Sequence, residues 1–259
     1  MTVNRELWRR AISERTAPRW ACPTCLSGHL RLNSDEDLRC SETAESAKLR
    51  LYEPWEPEWI KYVFVAMLRC DNSDCNESVC TSGVGRVEQF IDHENVQIEY
   101  VDQFYPKWVS PSPRLISIPE EAATLLGDSL GRCFSNAWGD FAGAGNHLRK
   151  AVEILIEHFE SENNLDRGKK KLHDRIIALR PICGDVSDKL LAIKWIGNSG
   201  SHIDDLSQDD IFDALDILEW VLSELFDNTK RKIDLLTARI NEKKGPLSKQ
   251  GPPQDIPAD

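Results

Sequence analysis

Two short cysteine turns set the strongest constraint on what this chain folds into. Cys22-Pro-Thr-Cys25 and Cys70-Asp-Asn-Ser-Asp-Cys75 each hold two thiols in one tight turn. Cysteines separated by two or four residues aim both sulfurs at one point with little strain, and four thiolates at about 2.3 Å satisfy a tetrahedral zinc ion. The spacing therefore predicts one structural Zn2+ held by Cys22, Cys25, Cys70 and Cys75, with no position left for a catalytic water. Its binding energy would be folding energy for a small sheet with little core of its own. The plainer alternative, small buried hydrophobes, accounts for single cysteines well and for two paired turns badly. By the same reasoning Cys40 and Cys80 are read as non-ligands, and Cys133 and Cys183 as helical core.

The rest of the sequence says where such a site would work. The first ten residues carry three arginines and no apolar run, so they do not read as a secretory signal. A reducing, cytoplasmic setting is expected, in which paired cysteines bind metal instead of forming disulfides. The longest uncharged apolar stretch, Tyr62 to Leu68, is far too short to span a membrane. The net charge is −11, with 14 basic and 18 acidic residues over 1–118 and 17 and 23 over 119–245. Extended DNA binding is disfavoured, because phosphate contacts dominate such affinity. Two local basic segments stand out: Arg5, Arg9, Arg10, Arg15 and Arg19, and Arg167 with Lys169, Lys170 and Lys171. The plainer reading of both is solvated surface.

The pattern predicts an α+β chain in parts. A short helix over 1–17, with Leu7, Ala11 and Ile12 at helical spacing, stops at Pro18. A ribbon region over 18–118 follows, with an irregular polar insertion over 26–60. Tyr62 to Arg69 reads as a strand running into Cys70. Two further strands, Glu77 to Thr81 and Gly85 to Ile91, are expected to join at Ser82-Gly83, with a fourth at Val96 to Val101. Pro106, Pro111, Pro113 and Pro119 read as a linker. The period then becomes helical over 119–245: Glu120 to Trp138, Phe141 to Glu160, Leu172 to Leu179, and Val186 to Ile196 capped by Gly197. Ser207 and Asp210 form a capping pair for a helix running to about Asn241. A disordered tail is expected over 246–259.

Two polar groupings lie in the helical part. Lys194-Trp-Ile-Gly197-Asn198-Ser-Gly-Ser201-His202 places an amide and a histidine near a cation, a combination suited to acid–base work. A helix-capping turn is the plainer reading. Arg149 and Glu153 are four apart and so share a helix face, where they read first as a simple pair.

The order CPTC, LRCDNSDCNESV, a proline-rich passage, HLRKAVEIL and KWIGNSGSHIDDL resembles bacterial proteins of domain-of-unknown-function family 4145 over roughly residues 18–245. That family is regarded as similar to the HEPN superfamily of helical bundles, common in toxin–antitoxin, restriction and antiphage systems. Many HEPN proteins are metal-independent ribonucleases that pair an arginine with a histidine a few residues later, in a cleft formed by two copies. The resemblance implies His202 as that histidine and Asn198 as its polar neighbour. The arginine is not matched, because Gly197 stands before Asn198. Lys194 and Arg149 are the nearest cations, with Glu153 beside Arg149.

Three functional readings are therefore weighed. The first is a zinc-ribbon and HEPN-like protein of a prokaryotic defence system, acting as a non-catalytic dimerisation or docking module. Its partners would be a second copy, through the helical domain, and a defence effector. The alternative is a HEPN-type endoribonuclease that uses His202. A zinc-ribbon nucleic-acid sensor is a further alternative, which the acidic ribbon region disfavours.

Overall fold

The computed structural model describes residues 3–14, 16–92, 97–165, 168–199, 206–226 and 229–246. Its first half is an antiparallel sheet in the order β1 (Leu30–Arg31), β3 (Lys61–Cys70), β4 (Ser78–Asp92), β5 (Gln97–Ser110), with β2 (Leu38–Glu42) also pairing with β3. Period-two alternation on β3 buries Phe64, Ala66, Leu68 and Cys70 and leaves Val63, Val65 and Met67 exposed. Helix α1 (Arg5–Arg9) precedes the sheet, and α2 (Ala44–Leu49) lies between β2 and β3.

Several expectations change here. The N-terminal helix ends at Arg9, and Ile12 instead exchanges backbone hydrogen bonds of 2.8 Å with Phe104. Sheet pairing wins because Ile12 is fully buried there. The insertion over 26–60 is not wholly irregular. It holds β2, whose Leu38 pairs with Ala66, and α2, whose Thr43 caps Ser46 at 3.3 Å. Ser82-Gly83 is not a turn between strands. Both residues lie inside one long β4, opposite a bulge at Lys107 of β5, and a Cβ on Gly83 would sit 2.2 Å from the Tyr105 carbonyl oxygen. Pro106 lies inside β5, not in a linker. It stands opposite Gly83 at the bulge, where a missing N–H donor costs least.

The helical half begins after the linker with α3 (Glu120–Asn136) and continues with α4 (Phe141–Glu162), α5 (Leu172–Ala178), α6 (Arg180–Cys183), α7 (Val186–Ser199), α8 (Gln208–Phe226) and α9 (Thr229–Lys243). Leu148, Val152, Leu155 and Ile156 of α4 pack with Leu190 and Ile193 of α7 and with Leu215, Leu218 and Leu222 of α8 in one buried cluster. The Ser207–Asp210 capping pair forms, with the Ser207 amide donating to Asp210 at 2.8 Å. The expected final helix is described as α8 and α9, with residues 227 and 228 between them outside the described residues, and the expected tail over 246–259 also lies outside them from residue 247 on. Among the described residues no helix is long and apolar enough to cross a membrane.

The two halves share a seam. Trp8, Trp20 and Trp138 meet with ring centroids 5.1 to 6.4 Å apart. Trp20 donates to the Leu7 carbonyl at 3.1 Å, and Trp138 donates to Ser112 at 3.1 Å. Arg5 reaches Asp209, Asp213 and Asp216 of α8 at 3.2, 2.5 and 2.9 Å, and Arg9 also pairs with Asp209. Part of the N-terminal basic segment thus holds the chain's beginning to its penultimate helix.

Candidate metal centre

The sulfurs of Cys22, Cys25, Cys70 and Cys75 lie within 4.8 Å of one another, although 44 residues separate the two turns in sequence. The nearest cross-turn pairs are Cys22–Cys75 at 3.7 Å and Cys25–Cys70 at 3.6 Å. A tetrahedron with sulfur about 2.3 Å from its centre has edges of about 3.8 Å. The donor set and its spacing therefore fit a structural metal ion, with all four positions taken by sulfur. Cys22 and Cys70 are buried, Cys25 and Cys75 half-buried.

Each turn is built to hold a charged sulfur. The Thr24 amide donates to Cys22 Sγ at 3.4 Å, and the Asn72 amide donates to Cys70 Sγ at the same distance. The Gly28 amide donates to Cys25 Sγ at 3.3 Å. Such N–H···S bonds orient ligands and favour the thiolate. Hydrogen bonds from Ser27 first, then Gly28, bring the Cys25 thiol down to about 5, while burial pushes Cys70 up to about 12. The turns are also tied to each other. His29 and Asp71 exchange backbone-linked bonds of 2.7 and 2.9 Å, and Thr24 donates to Glu77 at 2.5 Å.

Gly28 is the residue that sequence reasoning missed. A Cβ there would lie 2.5 Å from Cys70 Sγ and 2.9 Å from Asn72 Cβ, so only glycine lets the turns close. Its signal was a glycine three residues beyond Cys25. Cys40, opposite Phe64 in β2, and Cys80, opposite Met67 in β4, lie outside the cluster.

The polar residues of the helical half meet in part. Arg149 Nη2 pairs with Glu153 at 3.2 Å on α4, and Lys150 approaches the same carboxylate at 3.6 Å. Lys194 on α7 is buried, with Nζ 3.3 Å from the Trp195 ring centroid. Burial, and then the charge of Arg149, lower the Lys194 pKa, so the two cations are neighbours. Asn198 lies one turn beyond Lys194 on α7. The expected helix end at Gly197 is corrected: α7 runs on to Ser199. Gly197 serves a close helix contact, since a Cβ there would meet Arg149 Cβ at 2.6 Å and the Gly145 carbonyl oxygen at 2.8 Å. His202 lies outside the described residues.

A sheet region with a four-thiol cluster, followed by a helical region with a cationic seam, defines a mixed α+β protein. Residues 132–243 match the family model of the domain of unknown function DUF4145, the family that the sequence resembles, and residues 10–109 match that of the domain of unknown function DUF8608. No curated protein and no solved structure matches the chain.

Proposed function

We propose that this chain is a zinc-stapled, cytoplasmic scaffold whose HEPN-like helical region is a non-catalytic dimerisation or partner-docking module of a prokaryotic defence system. The observation that carries the reading is α9. Ile233, Leu236 and Ile240 recur at helical spacing and are 54%, 48% and 39% exposed. Large aliphatic side chains in register on an exposed helix mark an association surface. The occupant is a second copy. The sequence over 229–244 holds six basic and two acidic residues in a chain of net charge −11, so this helix complements the acidic remainder. Zinc is the ion of choice for four thiolates in tetrahedral array, and a closed set gives it a structural role. The defence setting follows the HEPN resemblance.

One arrangement favours the alternative, a metal-independent endoribonuclease. Arg149 and Lys194 lie together at the α4–α7 seam with Asn198 a turn away, where they would stabilise a phosphorane while His202 moves the proton. Light scattering on the eluting protein, with zinc content from the same peak and labelled RNA incubated beside it, separates the readings. A zinc-loaded dimer that becomes monomeric in Leu236→Glu/Ile240→Glu and leaves RNA intact supports the module. RNA cleavage abolished by His202→Ala overturns it in favour of the nuclease. A wild-type monomer at all concentrations removes the dimer reading.

A further inference from the structure

A cleft of about 600 Å³ lies where the sheet half meets the helical half, on the far side of α4 from the Arg149 seam. Its walls come from the first cysteine turn, the end of β5, the linker, α3 and His147 of α4. His147 is two residues from Arg149, and so roughly 200° round the helix. The volume suits a small organic ligand.

Three kinds of side chain converge there. Arg114 is half-buried on the linker and has no hydrogen-bond or ion-pair partner among the described residues. Its guanidinium fork is left free, and such a fork suits the oxygens of a phosphate or carboxylate. Arg132 of α3 adds a second cation, paired at 3.3 Å with the exposed Asp128, which also lines the cleft. The Trp108 indole is 47% exposed at the cleft, the position of a stacking platform for a flat ring. His147 is held neutral, its pKa lowered by burial and then by Arg132, so it offers a hydrogen bond without adding charge.

The floor supports the same assignment. Gly127 and Gly131 line the cleft one turn apart on α3, and a Cβ added at either meets nothing within 4 Å. Each glycine costs the helix about 1 kcal/mol relative to alanine, and no neighbour among the described residues needs that space.

We propose that this cleft binds a small phosphorylated molecule bearing a flat heteroaromatic ring, with Arg114 and Arg132 on the oxyanion and Trp108 against the ring. The proposal is independent of the docking reading, since it uses neither α9 nor the Arg149 seam. The probe is adenosine 5′-monophosphate titrated calorimetrically into the full-length, metal-loaded protein, with guanosine 5′-monophosphate, adenosine and inorganic phosphate alongside. Both nucleotides should bind, quench tryptophan fluorescence, and outcompete phosphate and adenosine by tenfold or more. Arg114→Gln breaks no internal pair and should weaken binding about tenfold or more while leaving thermal stability unchanged. Gly131→Ala should weaken binding while raising thermal stability, a combination that a merely structural glycine would not give. Absence of binding at millimolar nucleotide overturns the proposal. Phosphate binding as tightly as the nucleotides, or nucleotide binding untouched by Arg114→Gln and Gly131→Ala, overturns it equally.

Discussion

Alanine at Gly197 and alanine at Gly131 make one chemical change in two opposite surroundings. Both glycines are inside helices, so each substitution gains about 1 kcal/mol of helix propensity. At Gly131 nothing offsets that gain, because the added methyl points into open space. At Gly197 the methyl would come within 2.6 Å of Arg149 Cβ and 2.8 Å of the Gly145 carbonyl oxygen. Neither is the free end of a flexible side chain, so α4 and α7 must move apart. Overpacking of this kind costs about 1–3 kcal/mol. The propensity term cancels between the two variants, leaving Gly197→Ala less stable than Gly131→Ala by about 1–3 kcal/mol. Urea denaturation followed by circular dichroism at the helix band measures that difference directly. Equal stabilities would show that the α4–α7 seam is not closely packed at Gly197, and the placement of Arg149 beside Lys194 would fall with it.

Cys70→Ser should lose nearly all bound metal and unfold the sheet region at lower denaturant, read by zinc content and urea midpoint; full metal retention would exclude Cys70 as a ligand. Arg175 donates to both oxygens of Glu160 at 3.0 and 2.7 Å, with side chains 4% and 10% exposed. Arg175→Met should therefore cost about 3–5 kcal/mol by stranding a buried carboxylate, and Arg175→Met/Glu160→Leu should recover most of it; a double variant as unstable as the single would refute the pairing. Lys194 has a folded pKa lowered from 10.5 by burial and then by Arg149. The unfolded chain thus binds more protons just below 10.5, and wild-type stability should rise with pH through that window relative to Lys194→Met. A gap between the two proteins that moves the other way, measured by denaturation at pH 7 and pH 10, would show that Lys194 is favourably paired.

The parts legible in the sequence were those fixed by local chemistry. The cysteine spacing led to a four-sulfur cluster because each turn orients its own pair, and β3 was readable because Tyr62 to Leu68 is rich in β-branched and aromatic residues. The Leu148–Val152–Leu155–Ile156 stripe located α4 in the same way. What misled were residues whose role is set by a distant neighbour. Gly83 reads as a turn but is small for the sake of the Tyr105 carbonyl, and Pro106 reads as linker but pairs with Gly83 beside the bulge of β5. Gly197 reads as a cap, yet Arg149 and Gly145 demand it. Ile12 reads as helical because its partner Phe104 is remote in sequence. The cleft had no sequence signal at all, because its arginines, indole and glycines come from separate elements.

The ion pairs from α1 to α8 span 200 or more residues of chain, with Arg5 and Asp213 separated by 208 positions. Contacts of such high order cannot form until nearly all of the polypeptide exists, and loop-closure entropy delays them further. During synthesis the first helix can meet Trp138 once the end of α3 has emerged, but its arginines must wait for their aspartates until α8 follows. The N-terminal strap then closes as a final, late step, and it reports whether the helical half has been completed.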